Sequence, residues 1–145
     1  MKRTAAASWK GSVRIGEGTV STGSGVLSNM IFVTGSNAGE VPSTTCTEML
    51  AATESACMSV TLARELEAAG VPFDGIHTEA EITVEFPHKT PEITGILLNV
   101  TVQTSDGEPA AIEKAVNRAK HHGVVTKVLK CDVKVKTHIV SSANA

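Results

Sequence analysis

Hydrophobic and polar positions alternate with different periods along the chain, and the changes of period divide it into elements. Residues 6–34 alternate small, polar and apolar side chains between glycines, a pattern that predicts short strands joined by turns. Residues 34–43 have the composition of a loop. The apolar positions then follow a helical period from Thr45 to about Ala69.

The predicted helix at 45–69 carries its own start and stop signals. Thr45 and Glu48 have the spacing of a capping box, in which each residue satisfies an unpaired backbone donor at the helix start. Gly70 is suited to end the helix in the left-handed conformation, with a proline beyond it. Many positions hold small side chains that let another element approach closely. These are Ala51, Ala52, Ser55, Ala56, Ser59 and Ala63. We therefore expect this long helix to lie centrally, packed on more than one side.

Two strands are predicted after the helix. The segment 77–86 alternates between an apolar face and a face of charged and hydroxyl side chains. Its apolar face holds Ala80, Ile82, Val84 and Phe86. The segment 92–104 follows after a short turn, so the two strands are expected to form an antiparallel hairpin with one face in water.

A second helix and a last strand complete the predicted order. The helix begins at Pro109, a residue suited to a first turn, and ends at Gly123 after a basic last turn. The strand at 128–140 directs Cys131 to the same face as Val133, Val135 and Ile139. This order predicts a single α+β domain over residues 1–145, with helices packed on an antiparallel sheet.

Composition excludes several functional classes. The chain is 41% hydrophobic and 19% charged, and no apolar run reaches the roughly 18 residues that a membrane span needs. A net charge of -2 and an aromatic content of 3% argue against a nucleic-acid-binding protein. The start of the chain has no apolar segment long enough for a secretory signal. Three cysteines without close pairs do not form a disulfide framework. These features predict a soluble protein of a reducing cytoplasm.

Cys57 is the first candidate for chemistry, and two interpretations of it remain open. A free cysteine on a buried helix is more often a small core side chain than a nucleophile. A nucleophile would need a nearby cation or helix N-terminus that favours the thiolate. Glu54, three residues earlier, can reach the thiol; its charge disfavours a thiolate, but its carboxylate could act as a base or orient another group. Alternatively, Glu54, Thr61 and Glu65 form one solvated stripe.

The other cysteines and the paired histidines predict structural roles. If Cys46 and Cys57 share one helix, their separation of eleven residues corresponds to about 16 Å, too far for a disulfide. Cys131 is expected to fill the core. His121 and His122 are adjacent and point in different directions, which favours a helix end over a metal site. We expect neither a metal ion nor a cofactor.

Three segments together resemble the OsmC/Ohr family of thiol-dependent hydroperoxide reductases. "GTVSTGSGVL" (18–27) is similar to the family's N-terminal strand and turn. "AATESACMSV" (51–60) resembles the central helix in which small residues lead into the peroxidatic cysteine. "AVNRAKHHGVVTKVLKCDVKV" (115–135) resembles the second helix and the final strand. The resemblance covers nearly the whole chain in the same element order.

The resemblance implies an intertwined homodimer, with two central helices backed by sheet from both subunits and an active site at the subunit interface. It implies that Cys57 attacks the distal oxygen of an organic hydroperoxide and becomes a sulfenic acid. In the family, a second cysteine condenses with the sulfenic acid, and a lipoylated protein or a dithiol reduces the resulting disulfide. An arginine paired with a glutamate holds the thiolate and polarises the peroxide.

The chain departs from the family pattern at the second cysteine and at the arginine. Gly123 stands in the place of the second cysteine, and Cys131 lies eight residues further on. The arginine falls on Ile15. Arg14, one residue earlier, would face the opposite side of a strand unless the register or a bulge differs.

Two further departures concern acidic and basic partners of the thiol. The family's glutamate falls on Thr47, with the neighbouring Glu48 already used by the capping box. Glu54 stands where some relatives have a histidine.

Two functions are compatible with this pattern. The first is a peroxidase with one cysteine, in which an external thiol recycles Cys57. Its catalytic residues would be Cys57, Arg14 and Glu54, with Arg64 as an alternative source of the cation. The second is a non-catalytic homodimer of the same fold that binds a small apolar ligand or senses oxidation through Cys57. The apolar tail of a hydroperoxide would occupy a pocket lined by residues such as Met49, Met58, Ile31 and Phe32.

Overall fold

The computed structural model describes residues 1–34 and 42–142. Their elements follow in the order β1 (Ala5–Lys10), β2 (Glu17–Thr22), β3 (Met30–Phe32), α1 (Cys46–Ala68), β4 (Gly75–Glu85), β5 (Glu92–Thr104), α2 (Pro109–His122) and β6 (Asp132–Ser141). Most of the loop predicted at 34–43 lies outside the described residues. The α+β class is confirmed. Within the described ranges, neither helix combines the length and the apolar character that crossing a bilayer requires.

Packing divides the chain into two compact units, Met1–Leu50 and Ala51–Ala145. The single domain expected from the sequence stays a prediction. In the first unit, β1, β2 and β3 form an antiparallel sheet in that order, which confirms the strands expected between residues 6 and 34. Gly18 permits close packing in this sheet, because a Cβ there would lie 2.3 Å from the Phe32 ring and 2.8 Å from the Ser8 carbonyl oxygen.

The predicted helix at 45–69 forms as α1, and its expected end signals are confirmed. At the start, the Glu48 amide donates to Thr45 Oγ1 at 3.2 Å, and the Thr45 amide donates to Glu48 Oε2 at 3.0 Å. At the end, Gly70 has a φ of 65°, and the Val71 amide donates to the Leu66 carbonyl at 3.0 Å. These bonds satisfy backbone groups that a helix leaves unpaired at its ends.

The second unit contains a mixed sheet in the order β4–β5–β6, which corrects the expected antiparallel sheet. β4 and β5 form the predicted antiparallel hairpin, whereas β5 and β6 are parallel. The cause is the connection between them: α2 crosses over and returns the chain to the end of the sheet at which β5 begins. A strand that follows such a crossover runs parallel to its predecessor.

The core of the second unit lies between the sheet and the helices. Its fully buried side chains include Leu62, Leu66, Leu98, Val100 and Ile112. On β4, the predicted alternation is confirmed for Ala80, Ile82 and Val84. Phe86 is an exception, because the strand ends before it and the ring is 68% exposed.

The last strand begins later than expected. Residues 126–128 form a short 3-10 turn, closed by a hydrogen bond of 3.0 Å from the Val128 amide to the Val125 carbonyl. Cys131 therefore precedes β6 instead of lying within a strand. It is half-buried against the core, as expected of a small core side chain.

Candidate active site

Cys57 lies in the middle of α1 with a partly exposed side chain. Cys46, the first residue of the same continuous helix, is exposed. All three cysteines belong to the described residues, and each is a free thiol. Cys57 is therefore accessible to a small reactant.

Glu54 is fully buried, which contradicts the solvated stripe considered for this face of the helix. Glu54 is 0% exposed and Thr61 is 7% exposed. Glu54 Oε1 accepts a hydrogen bond from the Thr126 hydroxyl. Oε2 is buried and has no hydrogen-bond partner in the part of the chain that the structure describes. This half-satisfied acid is the most unusual polar group of the second unit, because buried side-chain oxygens are nearly always paired.

Burial raises the pKa of Glu54 above its ordinary value of 4.5. Transfer of a carboxylate away from water disfavours its charged form. The hydrogen bond from Thr126 acts in the opposite direction and is the smaller effect. Glu54 therefore holds a proton at a higher pH than a surface glutamate does.

Two of the three predicted catalytic residues lie on the same helix, one turn apart. Glu54 and Cys57 are three residues apart on α1, and residues with this spacing project from the same side of a helix with Cβ atoms about 5–6 Å apart. Among the described residues the carboxyl group is hydrogen-bonded to Thr126 alone, so it does not hold the thiol by a hydrogen bond.

Arg14, the third predicted residue, belongs to the first unit and is exposed. It lies in the turn between β1 and β2, where the Gly16 amide donates to the Ser12 carbonyl at 2.7 Å. The strand-register argument for Arg14 and Ile15 is therefore wrong, because neither residue is in a strand; Ile15 is 86% exposed. A role of Arg14 beside Cys57 stays a prediction.

Arg64 is the alternative cation and lies on the same helix as the thiol. It is exposed and stands seven residues after Cys57. This spacing corresponds to about two turns and a rise of roughly 10 Å along the axis. A contact would need the long arginine side chain to extend back along the helix.

Glu65 joins α1 to the last turn of α2. Its Oε2 accepts a hydrogen bond of 2.8 Å from Arg118 Nε, and its Oε1 lies 2.7 Å from His122 Nδ1. The contact with His122 is the main cause that lowers the pKa of Glu65, followed by the hydrogen bond from Arg118. Glu65 therefore has a structural role between the helices, and His122 is its partner.

The first unit contains an apolar groove of about 440 Å³. Its lining consists of Trp9, Val13, Phe32, Val33, Thr34, Cys46 and Thr47. The rings of Trp9 and Phe32 lie 5.7 Å apart between centroids. Of the pocket residues expected from the sequence, Phe32 lines this groove, whereas Met58 is 1% exposed within the core of the second unit. Thr47, a position at which the sequence departs from the expected pattern, is also part of the lining.

Thr126 and the partners of Glu65 are the site residues that sequence reasoning missed. Thr126 is separated from Glu54 by 72 positions, and no local pattern connects them. The basic last turn of α2 did indicate a role at the helix end, but not that Arg118 and His122 meet Glu65.

Comparisons with known proteins agree with this architecture. The sequence profile of the family described as "OsmC-like protein" matches residues 38–138. Peroxiredoxin OsmC of Escherichia coli K12 is 29% identical over 127 residues, which cover 88% of this chain and 89% of that protein. The organic hydroperoxide resistance protein OhrB of Bacillus subtilis has a TM-score of 0.72 at 21% identity, covering 94% of this chain and 98% of that one. An OsmC-like protein of Mycoplasma pneumoniae has a TM-score of 0.78 at 10% identity, covering 97% and 98%. The two structural likenesses establish a shared fold.

Proposed function

The chain belongs to the OsmC-like family, and we propose that it reduces organic hydroperoxides with Cys57 as its single peroxidatic thiol. The observation that carries this proposal is a free, partly exposed thiol on α1, three residues from a buried acid that has one oxygen without a partner among the described residues. The names of two relatives, a peroxiredoxin and an organic hydroperoxide resistance protein, support the substrate class.

The proposed reaction begins at the sulfur of Cys57. Its thiolate attacks the distal oxygen of the hydroperoxide, the O–O bond breaks, and the sulfur keeps that oxygen as a sulfenic acid. The alkoxide takes up a proton and leaves as an alcohol. An external thiol then displaces water from the sulfenic acid to give a mixed disulfide. A second external thiol attacks this disulfide and releases Cys57, so the reductant leaves as its own disulfide.

The positions of the remaining cysteines favour recycling by an external thiol. Cys46 lies eleven residues before Cys57 on the same helix, about 16 Å along its axis. Gly123 stands where the family has its second cysteine, so no thiol is present at that point of the chain. Cys131 is packed against the core of the second unit. A reducing cytoplasm would supply the thiols that this cycle consumes.

A cation near Cys57 is part of the proposal, since a nearby positive charge favours the thiolate over the thiol. Arg14 and Arg64 are the two candidates, and both are exposed. Replacement of the correct arginine by methionine should slow the oxidation of Cys57, whereas replacement of the other should leave its rate unchanged.

We further propose that the chain acts as a homodimer through α1. In the middle of this helix, Val60 is 62% exposed, and Ala52, Ala56 and Arg64 are exposed at the same four-residue spacing. A second copy of the helix would cover Val60 and the two alanines, whose small side chains permit close approach. Light scattering should give the mass of a dimer, and Val60→Glu should convert it to a monomer. A monomeric parent chain would contradict the proposal.

A second candidate function is the binding of a small apolar ligand without turnover, or the sensing of oxidation through Cys57. The groove in the first unit favours it, because a volume of about 440 Å³ lined mainly by apolar side chains is typical of small-molecule sites. The departures from the family pattern at Gly123, Ile15 and Thr47 favour it as well.

Intact-protein mass spectrometry separates the two functions. The chain with Cys46→Ser and Cys131→Ser is treated with one equivalent of cumene hydroperoxide, with and without dimedone as a sulfenic-acid trap. The matched control keeps Cys46 and Cys131 and carries Cys57→Ser. We expect rapid gain of one trap molecule in the first protein and none in the control. An unchanged mass over hours, with the thiol still countable after denaturation, would leave the binding function.

A further inference from the structure

The outward face of the sheet in the second unit carries opposite charges on its two edge strands. Glu79, Glu81 and Glu85 are exposed on β4, and Lys134 and Lys136 are exposed on β6. The buried side chains of β5 point to the other face of the sheet and pack in the core with the helices. Each charged stripe is an alternation that the sequence contains, but only the pairing of β4 and β6 on the two sides of β5 brings both stripes onto one face.

The strand register aligns the two stripes in rows. Two neighbouring rows each consist of an acid on β4, an uncharged residue on β5 and a lysine on β6. These rows are Glu79–Asn99–Lys136 and Glu81–Leu97–Lys134. Neighbouring strands lie about 4.8 Å apart, so the acid and the lysine of one row are separated by about 10 Å. The half-buried side chains of Asn99 and Leu97 lie between them.

Within one chain the two stripes do not neutralise each other. Glu79 Oε1 lies 3.5 Å from His77 Nε2, and Lys134 Nζ lies 3.9 Å from Asp132 Oδ2, so both contacts stay within one strand. In the ranges that the structure describes, no ion pair joins β4 to β6. Ion pairs between side chains as exposed as these contribute little, and over about 10 Å salt screens most of the attraction. Both stripes therefore remain available to an external partner.

We propose that this face binds the same face of a second copy of the chain, related by a two-fold axis that runs parallel to the strands over β5. Such an axis exchanges the two edge strands and keeps each row at its own height. Glu79 then lies over Lys136 of the partner subunit, and Glu81 lies over Lys134 of the partner subunit. A two-fold axis perpendicular to the strands would instead place each stripe over itself, which repulsion between like charges opposes.

The geometry of sheet packing agrees with this axis. Sheets that pack face to face keep their strand directions within about 30° of each other and lie about 10 Å apart. At that spacing the side chains of facing rows touch, so acid and lysine pair at contact distance instead of across a row. Because the face is mainly polar, charge complementarity should set the orientation of a weak, salt-sensitive association.

This contact is independent of the homodimer proposed through α1. The helices pack on the opposite face of the sheet, so the two surfaces do not overlap. The test is therefore made in the chain with Val60→Glu, in which α1 should not mediate association. A monomeric parent chain would remove the α1 homodimer but would leave this test unchanged, since Val60 is not part of the sheet.

Two charge-reversed variants are made in the Val60→Glu chain. Glu79→Lys with Glu81→Lys makes both edge stripes basic, and Lys134→Glu with Lys136→Glu makes both acidic. Sedimentation velocity measures association at low salt and at protein concentrations up to about 1 mM. Circular dichroism verifies that each variant is folded.

The Val60→Glu chain should dimerise at low salt, and its Kd should rise about 10-fold or more in about 1 M salt, where the Debye length is about 3 Å. Each charge-reversed variant alone should associate about 100-fold more weakly, because like charges face each other. An equal mixture of the two variants should form a heterodimer, since every facing pair is again opposite in charge.

A matched control separates this contact from the effect of net charge. Glu67→Lys with Asp106→Lys, at two exposed positions outside the sheet face, changes the net charge as much as the basic variant does. The control should associate as the Val60→Glu chain does. It should bind the acidic variant more weakly than the basic variant does, because its β4 stripe is still acidic.

Three results would overturn the proposal. One is a Val60→Glu chain that stays monomeric at low salt up to about 1 mM. The second is a dimer that both charge reversals leave intact. The third is a mixture of the two reversed variants that associates no more tightly than the mixture of the acidic variant with the control, because net charge alone would then explain the attraction.

Discussion

Thr126→Val is the substitution whose effect on stability the structure defines most sharply. It is nearly isosteric and removes the hydroxyl that donates to Glu54 Oε1. Since Oε2 has no partner among the described residues, both oxygens of a fully buried carboxyl would then lack a donor. A hydrogen bond to a charged group contributes about 1.5–3 kcal/mol, and one to a neutral group about 0.5–1.5 kcal/mol. The variant should therefore lose more stability where Glu54 is ionised than where it is protonated.

Urea denaturation at neutral and at mildly acidic pH measures this difference, with the protein concentration held constant in case the chain dimerises. Where Glu54 is ionised, the expected loss of about 1.5–3 kcal/mol should lower the urea midpoint, and in a thermal melt it corresponds to a decrease in Tm of roughly 4–10 °C. Thr83→Val, at an exposed position of β4, is the matched control and should change little. In the Glu54→Gln background the same substitution at Thr126 should cost less. Equal costs in both backgrounds and at both pH values would refute the coupling of Thr126 to a carboxylate.

Three further predictions concern stability. Because burial raises the folded-state pKa of Glu54, this residue favours folding at low pH and loses that contribution as the pH rises through the raised value. Glu54→Gln should therefore have a higher free energy of unfolding than the parent at neutral pH, and this difference should disappear in acid. A difference in urea midpoints that does not depend on pH would contradict the prediction. Leu98→Ala should reduce the free energy of unfolding by about 2–5 kcal/mol, because Leu98 is 0% exposed in the core; a smaller loss would mean that the cavity collapses. Gly18→Ala should lower Tm, because the new Cβ would lie 2.8 Å from the Ser8 carbonyl oxygen. Gly95→Ala is the control and should lower Tm less, because the nearest atom to its Cβ would lie at 3.8 Å. Equal melting temperatures of the two variants would contradict the close packing at Gly18.

The part of the candidate site that could be predicted is the part that lies on one helix. Cys57 and Glu54 share α1, and their spacing alone places them on one side of it. What surrounds them could not be predicted. A seven-residue spacing is equally compatible with a solvated and a buried face, and Glu54 proved to be buried. The arginine was expected within a strand, but Arg14 lies in a turn closed by a bond between Ser12 and Gly16.

The sequence by itself determined the elements whose causes are local. The capping box of Thr45 and Glu48 and the left-handed Gly70 depend on residues a few positions apart, and both were found where they were expected. The alternation along β4 is equally local and was found as far as Val84. Tertiary structure alone decided that β6 pairs in parallel with β5, that Glu54 is buried, and that its partner lies 72 positions away in the chain. These features depend on how distant segments pack, because the free energy of a buried acid is set by the groups that surround it and not by its neighbours in sequence.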